Sequence, residues 1–389
     1  MQRKHTILGQ ITQMISRYDF EKAVISGKGR HFIVSFDYWS HFVAMLFGQL
    51  SDQHSLRDLV LNLCNQGKRF YHLGMARICR STFSDANNNR PYQIYESLFY
   101  FLMERYAGSF KGAKRRLKNK LYTIDATVVG LCLSLFGWAH FRTTKAGIKL
   151  HVRLDQEANI PEYAVITNAS VHESKVRKMF DLPAGSLVVF DRGYNDYHLY
   201  NLLNERKILF VTRLKDNADY RVVKRQKANK KQGITSDQII EFRGFYSKDK
   251  CPIRLRRVRY VEPETGQVYV YLTNDLKHAA ATIANIYKQR WQIELFFKAL
   301  KQNLVIKTFW GTSQNAVYSQ IWVALILYFL LSVLKVQGNI EISVGKMIQR
   351  IRSFVFETAE MMKFLKDKIP VWPHPLPSNQ ITLNLKAGQ

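Results

Sequence analysis

From Leu121 the chain becomes a series of short β-branched and aromatic runs, and that series limits what it can fold into. Tyr122 to Gly130, Ile148 to Leu154, Tyr163 to Ala169, Ser186 to Phe190 and Ile208 to Thr212 each read as a strand. His198 to Arg206 reads as a helix between the last two. Upstream, residues 1–108 look helical. Phe42, Met45, Leu46 and Leu50 recur at helical spacing, as do Leu56, Leu59, Val60 and Leu63 before Gly67. Residues 74–87 fit a short helix, a turn and a helix capped by Ser81, a helix-turn-helix pattern that small helical bundles also produce. A further helix is expected from Tyr92 to Tyr106. The basic connector Lys111 to Lys120 is either a solvated linker or a segment lying along a nucleic-acid backbone.

Beyond residue 213 a lysine-rich stretch leads into Ile253 to Val261 and Gln267 to Thr273, an antiparallel β insertion with a turn at Pro263 to Gly266. Helix resumes near Ala279 and continues as an apolar helix after Ala316. An amphipathic helix over residues 345–367 and a Pro-rich tail complete the chain.

Tyr287, Arg290, Glu294 and Lys301 stand at the spacing Y-x2-R-x3-E-x6-K. On one helix, at roughly 100° per residue, they share an arc of about 60°. Ile286, Ile293, Phe297, Leu300 and Leu304 form a buried stripe beside them, so the polar arc looks along the rim of a core. The plain alternative is a surface Arg290–Glu294 pair worth a few tenths of a kcal/mol.

Two aspartates sharpen the choice. Asp125 lies inside the apolar strand Tyr-Thr-Ile-Asp-Ala-Thr-Val-Val, where an ionised carboxylate needs a partner. Lys149 or Arg153 on a neighbouring strand could serve. Asp191 ends the apolar run Ser-Leu-Val-Val-Phe, at the strand end where open α/β sheets place ligands, or it merely begins a turn. With Glu294 they make three carboxylates able to hold two Mg²⁺ ions about 3.5–4 Å apart.

Charge points to the substrate. Against 30 Asp+Glu the chain carries 58 Lys+Arg, a net +28, and such a surplus favours a polyanion. Four scattered cysteines without a CxxC pair argue against zinc or a disulfide framework. The N-terminus lacks the apolar core of a signal peptide, and Ile321 to Leu334 is short for a membrane span. A soluble, cytoplasmic protein without a membrane partner is expected.

These blocks resemble the DDE transposases of bacterial insertion sequences, in the family numbered four. The Y-x2-R-x3-E-x6-K stretch matches without departure. Ile-Asp-Ala-Thr around Asp125, Phe-Asp-Arg-Gly-Tyr around Asp191, Lys149-Leu-His151 and Gly311 to Ala316 match as well. The segment Arg80 to Asn87 with Arg90-Pro resembles the helical region preceding the core in one branch.

The resemblance implies an α/β protein: a ribonuclease-H-like catalytic core with an antiparallel β insertion, preceded by an all-helical DNA-binding domain. Residues 1–108 would bind terminal repeats and 109–120 would be a basic linker. The core would span 121–212 and 276–340, interrupted by the insertion at 213–275, with a C-terminal helical region over 341–389.

Asp125, Asp191 and Glu294 would be catalytic and would bind two Mg²⁺, with Mn²⁺ able to substitute and no organic cofactor. Tyr287, Arg290 and Lys301 would contact phosphates, and Arg77, Arg80, Ser81 and Asn87 would read bases. The partners implied are double-stranded DNA, at element ends and target, and a second copy in a homodimeric synaptic complex near the nucleoid. Some members form hairpin ends, and some hold a flipped base with a tryptophan of the insertion. No tryptophan lies between Trp138 and Trp291 here, so a tyrosine or phenylalanine takes that place or the step differs. A plain nuclease of the same fold and a non-catalytic DNA-binding derivative are the competing readings.

Overall fold

The runs Leu121–Ile124, Leu187–Phe190 and Leu209–Val211 carry apolar side chains on both faces of one sheet and need cover on both, whereas Ile148, Leu150, Val152 and Leu154 share one face of their run and Lys149, His151 and Arg153 the other. The computed structural model describes residues 5–29, 35–110, 119–142, 145–171 and 176–366. Strands β1 (Leu121–Leu131), β2 (His140–Arg142), β3 (Lys145–Asp155), β4 (Ile160–Asn168), β5 (Leu187–Phe190) and β6 (Leu209–Arg213) form its first part. β7 (Tyr220–Gln226), β8 (Ile234–Phe242), β9 (Leu255–Val261) and β10 (Val268–Thr273) complete a ten-stranded sheet. Its order is β2-β3-β1-β5-β6-β10-β9-β8-β7, with β4 also on β3. β3 is antiparallel to β1 and β4, whereas β5 runs parallel to β1, and β6 to β5. The strands expected in the insertion are antiparallel, and they extend the core sheet through β10 on β6 instead of forming a separate one.

Among the described residues seven α-helices precede the sheet: α1 (Ile7–Gln13), α2 (Arg17–Ser26), α3 (Tyr38–Leu50), α4 (Leu56–Cys64), α5 (Phe70–Leu73), α6 (Arg80–Asn89) and α7 (Gln93–Tyr106). Ser16, Asp37 and Ser55 cap α2, α3 and α4 by accepting from backbone N–H groups in the first turn. The helix-turn-helix pattern is realised differently from its sequence form. α5 has one turn and ends at Gly74 in the left-handed region, and residues 75–79 are irregular. α6 starts at Arg80 without a side-chain cap, so Ser81 lies inside the helix. The connector expected over Lys111 to Lys120 falls mostly outside the described residues.

Later helices are α8 (Tyr197–Glu205), α9 (Phe245–Lys250), α10 (Ala280–Lys288), α11 (Trp291–Asn303), α12 (Gln314–Gln337), α13 (Val344–Arg352) and α14 (Met361–Lys366). The single amphipathic helix expected over 345–367 is thus two, separated at residues 353–360. α12 is apolar on every side, and such a helix belongs inside a core. It is the one helix among the described residues long and apolar enough to cross a membrane, with a mean hydropathy of 2.0, and that window is buried within the protein. Its neighbours are α3, α6, α7, α13 and β4, and one hydrophobic core unites α1–α7 with α11–α14.

Polar clamps fix the loop after α11 in that core. Gln49 on α3 donates to the Val305 carbonyl at 3.1 Å and accepts from its N–H at 2.8 Å. The Gln320 amide donates to the carbonyls of Val305 and Thr308 and accepts from the Trp310 N–H. Gly48 leaves room for the Trp310 ring, which a Cβ there would meet at 2.5 Å. Asn315 ties the start of α12 to α6 and α7 by donating to the Asn87 and Arg90 carbonyls and accepting from the Tyr92 N–H.

Candidate active site

Strand alternation decides which side chains meet. Tyr122 and Ile124 of β1, with Val188 and Phe190 of β5, face the core under α8. Leu121 of β1, with Leu187 and Val189 of β5, faces α10. Ile124 pairs with Phe190 in the parallel register, so Asp125 and Asp191 come next, side by side. Both continue the face on which α10 lies, at the carboxyl end of β5.

The Y-x2-R-x3-E-x6-K stretch supplies the other wall, though not as the single helix its periodicity suggests. α10 ends at Lys288 and α11 begins at Trp291. Between them the Arg290 N–H bonds to the Tyr287 carbonyl at 3.0 Å, a tightened i−3 turn. The Gln156 amide holds this break by donating to the Gln289 carbonyl at 3.0 Å and to the Thr123 hydroxyl of β1. Tyr287 therefore sits on α10, Arg290 at the junction, and Glu294 and Lys301 on α11.

Arg290 is the hub. One guanidinium nitrogen donates to Asp125 at 2.6 Å and the other to Glu294 at 2.5 Å. The i,i+4 pair exists, but it is half-buried and shared with a strand. Lys149 reaches the Val171 carbonyl, and Arg153 reaches Glu162 and the Met179 and Asp181 carbonyls, so Arg290 is the cation that pairs with Asp125. Burial pushes the Asp125 carboxyl up to about 6, against the pull of Arg290, and Asp191 and Glu294 push in the same upward direction. The Asp191 carbonyl accepts from the Tyr194 N–H at 3.1 Å, and its carboxylate has no hydrogen-bond or ion-pair partner among the described residues.

Tyr287 is only 6% exposed, its ring centroid is 4.8 Å from that of Tyr271, and its buried hydroxyl makes no well-formed hydrogen bond. Burial raises it to about 12, and Asp191 and Arg213 are among the charges acting on it. Lys301 forms no ion pair with the three carboxylates among the described residues. Its ammonium donates to the Val128 carbonyl at 3.0 Å, three residues beyond Asp125, and ties α11 to β1.

Two further residues contribute: Arg213, which nothing in its sequence context marks, and His151, which the sequence offers only as part of a matching block without a role. Arg213 ends β6, with its guanidinium 4.9 Å from the Tyr269 ring centroid. His151 lies in the block Lys149-Leu-His151, and one ring nitrogen is 3.0 Å from the Tyr194 hydroxyl, in the turn that follows Asp191. The other is 3.1 Å from the Thr167 hydroxyl, and burial, then Lys149, lowers the imidazole to about 4. A neutral imidazole so held braces the Asp191 turn on β3.

Among the described residues no group of three His, Cys, Asp or Glu side chains is gathered closely enough to hold a metal as it stands. Arg290 stands between two of the carboxylates, a cation where a cation is needed. The donor set is all hard oxygen, which suits Mg²⁺ or Mn²⁺.

Of the residues expected to read bases, Arg77, Arg80 and Ser81 are exposed. Asn87 is not available to do so: it is 2% exposed, and its side chain bonds His41 at 2.8 Å. In the insertion, alternation puts Val258 and Tyr260 in the core, with Arg257 and Arg259 outside. Arg256 falls on the inner face, 4% exposed, in a bidentate pair with Asp237 at 2.9 and 2.7 Å. Arg254, Arg257 and Arg259 bond Glu241, Gln238 and Thr235. The β9 arginines are thus largely engaged within the sheet.

The family profile described as Transposase DDE domain matches residues 117–330, and one described as a domain of unknown function matches residues 3–76. A Sinorhizobium fredii protein named as a transposase is 32% identical over 72% of this chain and 78% of its own length. A Geobacillus stearothermophilus protein named as the transposase of insertion sequence element IS5377 is 30% identical over 77% of this chain and 82% of its own. Among solved structures, the piggyBac transposase synaptic complex with hairpin DNA aligns with 92% of this chain and 81% of its own at 11% identity. Its TM-score of 0.47 is too low to bear on the fold.

Proposed function

The chain belongs to the DDE transposases of insertion sequences, and from that premise we propose that it cuts its element from DNA and joins it to a target using Asp125, Asp191 and Glu294. The supporting observation is the adjacent register of Asp125 and Asp191 on parallel strands, with Arg290 bridging Asp125 to Glu294. The order β4-β3-β1-β5-β6, with β5 and β6 parallel to β1, favours a ribonuclease-H-like core.

The three carboxylates would hold two Mg²⁺ ions, or Mn²⁺ in their place. Such ions, when bound, supply an activated water or 3′-hydroxyl and stabilise the leaving oxygen. Arg290 would leave at least one carboxylate as metal binds, and its guanidinium would then be free to grip a phosphate in bidentate fashion. Tyr287 and Arg213 line the same side and would help seat that phosphate. Lys301 would hold α11 against β1 and so position Glu294. Exposed Arg77, Arg80 and Ser81 would contact terminal repeats as part of the helical region. A homodimer would hold both element ends in the cytoplasm, on the nucleoid. Strand transfer to a target would distinguish this enzyme from a simple nuclease of the same fold.

Alanine at Asp125, Asp191 or Glu294 should abolish Mg²⁺-dependent cleavage of a duplex carrying the element end. End binding should persist, because phosphate contacts elsewhere provide most of the affinity. Near-normal cleavage by any of the three variants would overturn the assignment.

A further inference from the structure

A second surface with nucleic-acid chemistry lies on the insertion, away from the carboxylates. α9 packs with α8, and both belong to the sheet face opposite α10. In the first turn of α9 two neighbouring aromatics stand in water, Phe245 at 95% and Tyr246 at 67% exposure. Beside them opens a cavity of about 230 Å³ whose lining includes Arg221, Glu241, Arg243 and Lys248. Glu241 is neutralised by Arg221 at 2.7 Å and Arg254 at 2.8 Å. Arg243 and Lys248 have no anionic side-chain partner among the described residues.

Arg243 and Lys248, next to the open ring of Phe245 and a largely exposed Tyr246 ring that meets Tyr197 edge-on at 6.5 Å and Lys250 at 6.0 Å, supply the two components of single-strand recognition. A duplex presents phosphates but keeps its base faces stacked on one another. An unpaired strand presents both, and charge complementarity makes nucleic acid the occupant this patch fits. We infer that Phe245, Tyr246, Arg243 and Lys248 form a binding site for an unpaired DNA strand, separate from the strand held at Asp125 and Asp191. The inference rests on DNA being the substrate under the proposed function. It adds a place for the single strand that cutting and rejoining expose.

The test uses the full-length protein without metal, titrated against a short fluorescent oligothymidylate and a blunt duplex of equal length. Replacing Phe245 and Tyr246 together by alanine should weaken oligothymidylate binding by about tenfold and leave the duplex nearly unaffected. The same variant should still nick the element-end duplex with Mg²⁺, since neither side chain lies on the carboxylate face. Lys248→Gln should weaken both ligands and flatten their salt dependence. Oligothymidylate containing 5-iodouracil should photocrosslink to Phe245 or Tyr246. Unchanged oligothymidylate affinity in the double variant, or an equal loss for duplex, would overturn the site. The readout needs no cleavage, so a failure of the carboxylate assignment would leave this result standing and would be told apart from it.

Discussion

Burial raises the Asp125 carboxyl to about 6 even with Arg290 at 2.6 Å. A folded-state value above the ordinary one means that the group's favourable contribution is full at low pH and is lost as pH rises through about 6. At neutral pH the ionised form therefore strains the metal-free protein. Asp125→Asn should stabilise that form at pH 7 by up to about 3 kcal/mol. Mg²⁺ should then raise the melting temperature of the parent and not of the variant, because only the parent gains a ligand-linked term. Thermal melts of both proteins in chelator and in Mg²⁺ check this, and a variant no more stable than the parent in chelator would contradict it. Arg290→Lys should slow single-turnover cleavage at least tenfold, since one ammonium cannot reproduce two divergent bonds to separate carboxylates. The need for a partner at Asp125 was readable from its apolar strand, but the partner was not. Arg290 lies 165 residues away, and only the packing of α10 and α11 brings it back.

At the level of elements, periodicity assigned faces well and continuity poorly. The stretch from Tyr287 to Lys301 contains no glycine or proline, so nothing local announces the break between α10 and α11. Tertiary bonds make it, chiefly Gln156 reaching from the end of β3 to the Gln289 carbonyl. Gln156→Ala should cost about 1–2 kcal/mol, the value of buried hydrogen bonds left unmade. It should also lower the cleavage rate without weakening end binding, because it frees the junction that carries Arg290. A binding assay beside a single-turnover assay separates the two effects. On β9 the two-residue period separates Val258 and Tyr260, which are inside, from Arg257 and Arg259, yet by the same rule it sends Arg256 inward. Asp237, from the neighbouring strand, makes that tolerable, together with the His278 and Asp275 carbonyls that also accept from the guanidinium. Asp237→Ala would leave the guanidinium buried and unpaired, and chemical denaturation should show a loss of about 3–5 kcal/mol.

At the scale of the molecule, the helical texture of residues 1–108 suggests a separable DNA-binding unit, and the shared core argues otherwise. α12 is buried on every side, and α3, α6 and α7 supply much of that cover. Gln49 reaches the Val305 backbone, and Trp310 lies against Gly48. No local pattern in the first hundred residues could reveal this, because the covering helix is more than two hundred residues away in sequence. A domain folds alone when it owns its core, and here the core belongs jointly to both ends of the chain. A fragment of residues 1–110 should therefore lack a cooperative melt, whereas the full chain should show α1–α7 and α11–α13 unfolding together. Hydrogen exchange checks the second point: amides in α3 and α12 should share one protection level. The same coupling reaches the chemistry, because the clamped loop over residues 304–310 follows directly from α11, which carries Glu294. Gln49→Ala, remote from the carboxylates, should then reduce cleavage as well as stability. A fragment that melts cooperatively, together with a Gln49 variant that cleaves like the parent, would show that the helical region and the catalytic helix are independent after all.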